Sequence, residues 1–145
     1  MQRMCILGGM VALCMLAGCD PKTSDRDLVW VSPPKALDTL NTPGGLLSKP
    51  TRGVFVDPRS TKSYEEGHIP GAISLPFPAM TDTAASVLAG YDIFVVYDSD
   101  FSDVMAKAGS KRLLELGFKN VYTLEGGLKA WRKEGYEVVT GSQPR

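Results

Sequence analysis

The stretch that decides the fold is Ile93-Phe94-Val95-Val96-Tyr97-Asp98-Ser99-Asp100-Phe101-Ser102-Asp103. Its first five residues are β-branched or aromatic, with no polar alternation, as in a strand buried on both faces of a parallel sheet. The run stops at Asp98. After a short polar loop, Val104–Leu116 takes up helical spacing, with Ser102 or Asp103 placed to cap it. In an open α/β sheet, ligands usually sit where a central strand ends and a helix begins. The candidate ligand loop is therefore Asp98, Ser99, Asp100, Phe101, Ser102 and Asp103, which holds three carboxylates and no cysteine, histidine or arginine.

The pattern repeats outward from this unit. Downstream, Gly117 stands as a helix C-cap, followed by strand Val121–Thr123, helix Leu128–Lys133 and a last short strand Glu137–Val139. Upstream, Leu28–Val31 reads as a strand, and Ser32-Pro33-Pro34 opens a helix to about Leu40. Asn41–Thr51, with its prolines and glycines, reads as a loop. Val54-Phe55-Val56 is a buried strand ending at Asp57, Ser60–Glu66 a short helix, Ile73-Ser74-Leu75 a strand and Thr83–Leu88 a helix. Alternating strands and helices predict an α/β fold, a central parallel sheet with helices on both faces.

The first residues read differently. Arg3, the apolar run Met4–Leu16 and the small residues after it have the form of a signal peptide over residues 1–18, too short to span a bilayer. Leu16-Ala17-Gly18-Cys19 resembles the bacterial lipobox, whose cysteine is acylated and becomes the first residue of the mature chain. That resemblance implies a lipidated Cys19 and a tether over 19–27, holding the protein on the outer face of the cell membrane. Asp20 resembles the signal that keeps many such lipoproteins in the inner membrane. Cys5 and Cys14 would leave with the signal peptide and Cys19 would carry lipid, so no free thiol would remain. With 16 basic and 16 acidic residues, the chain offers no electrostatic case for binding nucleic acid.

Three stretches, in order, resemble the rhodanese-like domain. They are Val56-Asp57-Pro58-Arg59 with Tyr64-Glu65-Glu66-Gly67-His68-Ile69-Pro70-Gly71-Ala72, then Leu116-Gly117-Phe118-Lys119-Asn120-Val121-Tyr122, then Leu124-Glu125-Gly126-Gly127 with Ala130-Trp131. The resemblance implies a rhodanese-like fold over 28–140. In physical terms, Gly67 can end a helix in a left-handed conformation, and Ile69-Pro70-Gly71 makes a turn. Gly126-Gly127 allows close backbone approach to the neighbouring loop, and Leu128 and Trp131 pack the following helix onto the sheet. His68, the single histidine, reads as structural, and Arg59 is expected to pair with Glu65 or Glu66.

The chain departs from the family at the loop. Active members carry a cysteine after the central strand, in a loop whose backbone N–H groups cradle an anionic sulfur, often with an arginine closing the cradle. Here Asp98 stands at the cysteine position, no arginine matches, and the segment is about two residues longer than the commonest version. A carboxylate cannot hold a persulfide. Each carboxylate about 6 Å from a bound anion would also cost roughly 1–3 kcal/mol. The expectation is a non-catalytic binding or scaffold module in the envelope, with no cofactor and with a cation or an envelope protein as partner.

Two other chemistries fit the same residues less well. Asp98 and Asp100 after an apolar strand resemble the nucleophile and acid/base of haloacid-dehalogenase-type phosphatases, but that motif belongs on a first strand. Asp98, Asp100 and Ser102 match early EF-hand spacings, yet Asp103 stands where glycine is required and Gly109 where the closing glutamate belongs. An enzyme or metal site on the acidic loop, or sulfur transfer with a thiol-bearing partner, remains the alternative.

Overall fold

The structure is a computed structural model that describes residues 23–41, 51–102 and 104–142. In chain order its elements are β1 (Val29–Val31), α1 (Pro33–Leu40), β2 (Gly53–Asp57), α2 (Thr61–Glu66), β3 (Ile73–Ser74), α3 (Met80–Val87), β4 (Ile93–Val96), α4 (Val104–Glu115), β5 (Val121–Leu124) and α5 (Gly127–Lys133). Short 3-10 turns lie at Asp25–Asp27 and Phe77–Ala79. The expected signal peptide, Cys19, most of the 41–51 loop and Asp103 lie outside the described residues.

The strands form one parallel sheet in the order β1-β5-β4-β2-β3, so β4 is central. Its composition explains the position. Period-2 alternation sends Phe94 and Val96 to one face and Val95 and Tyr97 to the other, and all four are buried. Val95 and Tyr97 join Phe55 and Leu124, with Ala36 of α1, Tyr64 of α2 and Leu128 and Trp131 of α5. Phe94 and Val96 join Val54, Val56 and Val121, with Met80 and Ala84 of α3 and Leu113 of α4. A strand apolar on both sides needs helices on both sides, and the sheet is sandwiched between two cores.

The expected elements appear, with three corrections. The helix expected at Thr83 begins at Met80, because Pro78 in the preceding 3-10 turn leads directly into it. Glu137–Val139 forms no strand. Val139 makes only a single antiparallel bridge with His68, and the Glu137 carbonyl accepts instead from Trp131 Nε1 at 2.7 Å. Gly67, expected in the left-handed region, is extended (φ 168°). Its small size matters instead, since an added Cβ would lie 3.1 Å from Arg132 Nη2 and 3.2 Å from Val138. Gly71, by contrast, does need its freedom: at φ 75° it closes the turn in which Ala72 N–H donates to the Ile69 carbonyl.

Among the described residues no helix is long and apolar enough to cross a membrane. Trp131 is the largest contribution of α5 to its core, stacked edge-on against Phe55 at 5.2 Å. Trp131→Ala should therefore lower unfolding free energy by about 3–5 kcal/mol in urea titrations. Leu116→Ala, at a surface position, should change it by about 0.5 kcal/mol or less.

Candidate functional site

The site forms where β2 and β4 end side by side. Val56 pairs with Val96, and Tyr97 N–H donates to the Val56 carbonyl, so Asp57 and Asp98 emerge at the same edge of the sheet. Asp98 does not point into solvent. It is buried, with Oδ1 accepting from Ser99 N–H at 2.6 Å and Oδ2 from Met105 N–H at 2.7 Å. Met105 lies in the first turn of α4, so the carboxylate caps that helix and meets the positive end of its dipole. Asp98 thus supplies a cap at Met105, while Asp103, one of the two expected caps, lies outside the described residues. The anion that this strand–loop–helix geometry is suited to hold is the chain's own side chain.

The rest of the loop is held from two sides. The Asp98 and Ser99 carbonyls accept from Leu128 and Lys129 N–H at 2.8 and 3.0 Å, tying the loop to the start of α5. This explains the glycine pair: a Cβ on Gly127 would collide with the Asp98 carbonyl, and one on Gly126 with the Phe101 ring. Both glycines also have positive φ. Asp100 Oδ1 accepts from Ser102 N–H at 2.9 Å, and this bond holds its carboxyl below the usual range. Phe101 and Val104 flank the loop and are 57% and 63% exposed. Among the described residues no group of three or more His, Cys, Asp or Glu side chains converges to hold a metal.

On the other side stands Arg59, and it corrects the expected pairing with Glu65 or Glu66. Its guanidinium makes a two-pronged contact with Asp57, Nε to Oδ1 at 2.9 Å and Nη2 to Oδ2 at 2.6 Å. Asp57 Oδ1 also accepts from Arg59 N–H at 3.0 Å, so a tight turn at the end of β2 brings the pair together locally. Glu65 and Glu66 lie on the exposed side of α2. Arg59 Nη2 further donates to the Gly67 carbonyl at 2.8 Å, and Nη1 to Ser99 Oγ at 3.2 Å. Burial opposes the charge on Arg59, but the Asp57 carboxylate outweighs it and the guanidinium pKa lies above its ordinary value. Burial also pushes the nearby Tyr97 phenol strongly upward.

These contacts leave a cleft of about 190 Å³ beside the loop, lined by Arg59, Ser63, Glu66, Ser99, Leu128 and Arg132. The motif reading paired Arg59 away from the loop and did not consider Arg132; the structure brings both to the edge of the loop. The strand order was the available signal, because β2 neighbours β4 and α5 starts against the loop. The sequence did not show which way either side chain turns.

Comparison with known proteins agrees with the architecture. A family description of the rhodanese-like domain matches residues 42–134. A centrosomal protein of 41 kDa from Rattus norvegicus is 33% identical over 100 residues, covering 63% of this chain and 29% of that protein. The chain thus spans less than a third of that relative's length. The solved structure of the BH2092 protein from Bacillus halodurans superposes with a TM-score of 0.62 at 26% identity, covering 77% of each chain. The rhodanese-like domain of an Anabaena protein gives a TM-score of 0.60 at 24% identity, covering 77% of this chain and 78% of that one. A family match over most of the sheet, joined to the same fold in solved structures, means that this chain belongs to the rhodanese-like family.

Proposed function

We propose that this rhodanese-like domain is a non-catalytic binding module, carried on the outer face of a bacterial membrane by lipid on Cys19. The observation that carries the first half is Asp98. It occupies the position that resemblance assigns to the cysteine nucleophile, and its carboxylate already satisfies the N–H groups of Ser99 and Met105. With that carboxylate in place there is no thiolate to accept sulfane sulfur and no room for a second anion on the same donors. The exposed Phe101 and Val104 beside the loop supply apolar area of the kind a protein partner covers. The metal and enzyme alternatives gain no support, since Asp98 spends both oxygens and Asp100 one on backbone N–H groups.

The second half rests on Leu16-Ala17-Gly18-Cys19 and the apolar run before it. An acyl anchor there would leave only the tether over 19–27 between the lipid and β1, and the domain would sit close to the lipid surface.

Thiosulfate-to-cyanide sulfur transfer by the unmodified protein should not exceed the uncatalysed background, and robust turnover would overturn the non-catalytic reading. Asp98→Ala should lower unfolding free energy by about 1–2 kcal/mol through loss of the cap, with Asp98→Asn losing less. Equal stability of all three forms would show that the carboxylate is no cap. Cys19→Ser should abolish incorporation of labelled palmitate and release the protein from the membrane fraction. Unchanged labelling would refute the anchor.

A further inference from the structure

A second cavity shares no lining residue with the cleft at the β4–α4 loop. It measures about 460 Å³ and lies between the turn that follows α2, the start of β3 and the 139–142 segment that bridges back to His68. Its volume falls within the range of about 300–1,000 Å³ typical of small-molecule sites. Its inner wall is apolar, formed by Ala72 and Ile73, while Tyr91, Thr140 and Ser142 stand at a more open rim.

The residue that gives this cavity a chemistry is His68. Its ring is 5% exposed and stacks on the Tyr64 ring at 3.7 Å. Its Nδ1 lies 2.8 Å from the Tyr64 carbonyl. A carbonyl can only accept, so Nδ1 carries the hydrogen, and whenever the ring is neutral Nε2 is its acceptor. Among the described residues none hydrogen-bonds Nε2. An acceptor in a cavity wall takes its hydrogen bond from whatever fills the cavity. The fixed tautomer also makes the acceptor specific. The backbone cannot relax away, because His68 N–H and carbonyl are both bonded to Val139 and the Tyr64 hydroxyl is tied to the Ala72 carbonyl at 2.7 Å.

We propose that this cavity binds a small amphipathic molecule, an apolar body carrying one O–H or N–H that donates to His68 Nε2. The stacked Tyr64 and His68 rings hold the acceptor in place, Ala72 and Ile73 receive the apolar body, and Thr140 and Ser142 line the entrance. This site is independent of Asp98, so its function survives whether or not the loop is catalytic.

Phenol and anisole test it, since they share a body and differ in the donor. In NMR titrations of the full-length protein, phenol should move the His68 Nε2, Tyr64 and Tyr91 resonances, and anisole should bind at least tenfold more weakly. His68→Phe removes the acceptor but also the Nδ1 bond, so a second variant is needed. Thr140→Trp narrows the rim from an exposed position, and it should abolish the phenol response while circular dichroism stays native. Equal affinity for phenol and anisole would overturn the proposal. So would a phenol response that persists in Thr140→Trp or that centres on residues 98–101, and so would the absence of any response at millimolar phenol.

Discussion

Three separate segments meet at one guanidinium. Arg59 holds the end of β2 through Asp57, the end of α2 through the Gly67 carbonyl, and the β4–α4 loop through Ser99. An ion pair this deeply buried returns little net stability, because both charges lose their water. Leaving either partner alone costs about 3–5 kcal/mol, however. Its effect is therefore positional. With the planar donor fork fixed on Asp57, two of the three remaining N–H groups point at Gly67 and at the loop, and those segments are positioned by them. Tyr97, fully buried beneath with its ring 5.6 Å from the Arg59 carbon, closes the arrangement from the core side.

The other half of the loop depends on contact too close for side chains. Leu128 and Lys129 can donate to the loop carbonyls only because Gly126 and Gly127 let α5 begin against them. The loop is thus clamped between a charged partner on one side and bare backbone on the other. The only large side chain that it turns outward among the described residues is Phe101.

How far the sequence led depends on the scale of the question. The strand Ile93–Val96 and its central place were legible because an unbroken apolar run has only one environment in an α/β fold. The glycine pair was legible as close approach, and the structure identifies the Asp98 carbonyl and Phe101 as what is approached. The orientation of Asp98 was not legible. Three acidic residues in one loop suggest a repelling mouth, whereas the inward turn of Asp98 depends on Met105 N–H, seven residues away, coming within reach. The partner of Arg59 was missed for the opposite reason. The sequence reading paired Arg59 with Glu65 or Glu66, but the contact is made by a residue only two positions back, across a strand-end turn. The strand expected at Glu137–Val139 failed because its hydrogen bonds go to His68 and Trp131 rather than to the sheet.

The inward-facing carboxylate at 98 also has a consequence for stability. While a loop carries a nucleophile, its helix N-terminus is kept open for substrate, and the unsatisfied donors are a burden that selection on turnover must sustain. Once a side chain fills those donors, that burden becomes a gain in folding stability, worth an appreciable share of the roughly 5–15 kcal/mol that typically separates folded from unfolded chains. A cysteine placed at 98 would lose both of these hydrogen bonds, so a thiol introduced there would begin at a cost in folding stability.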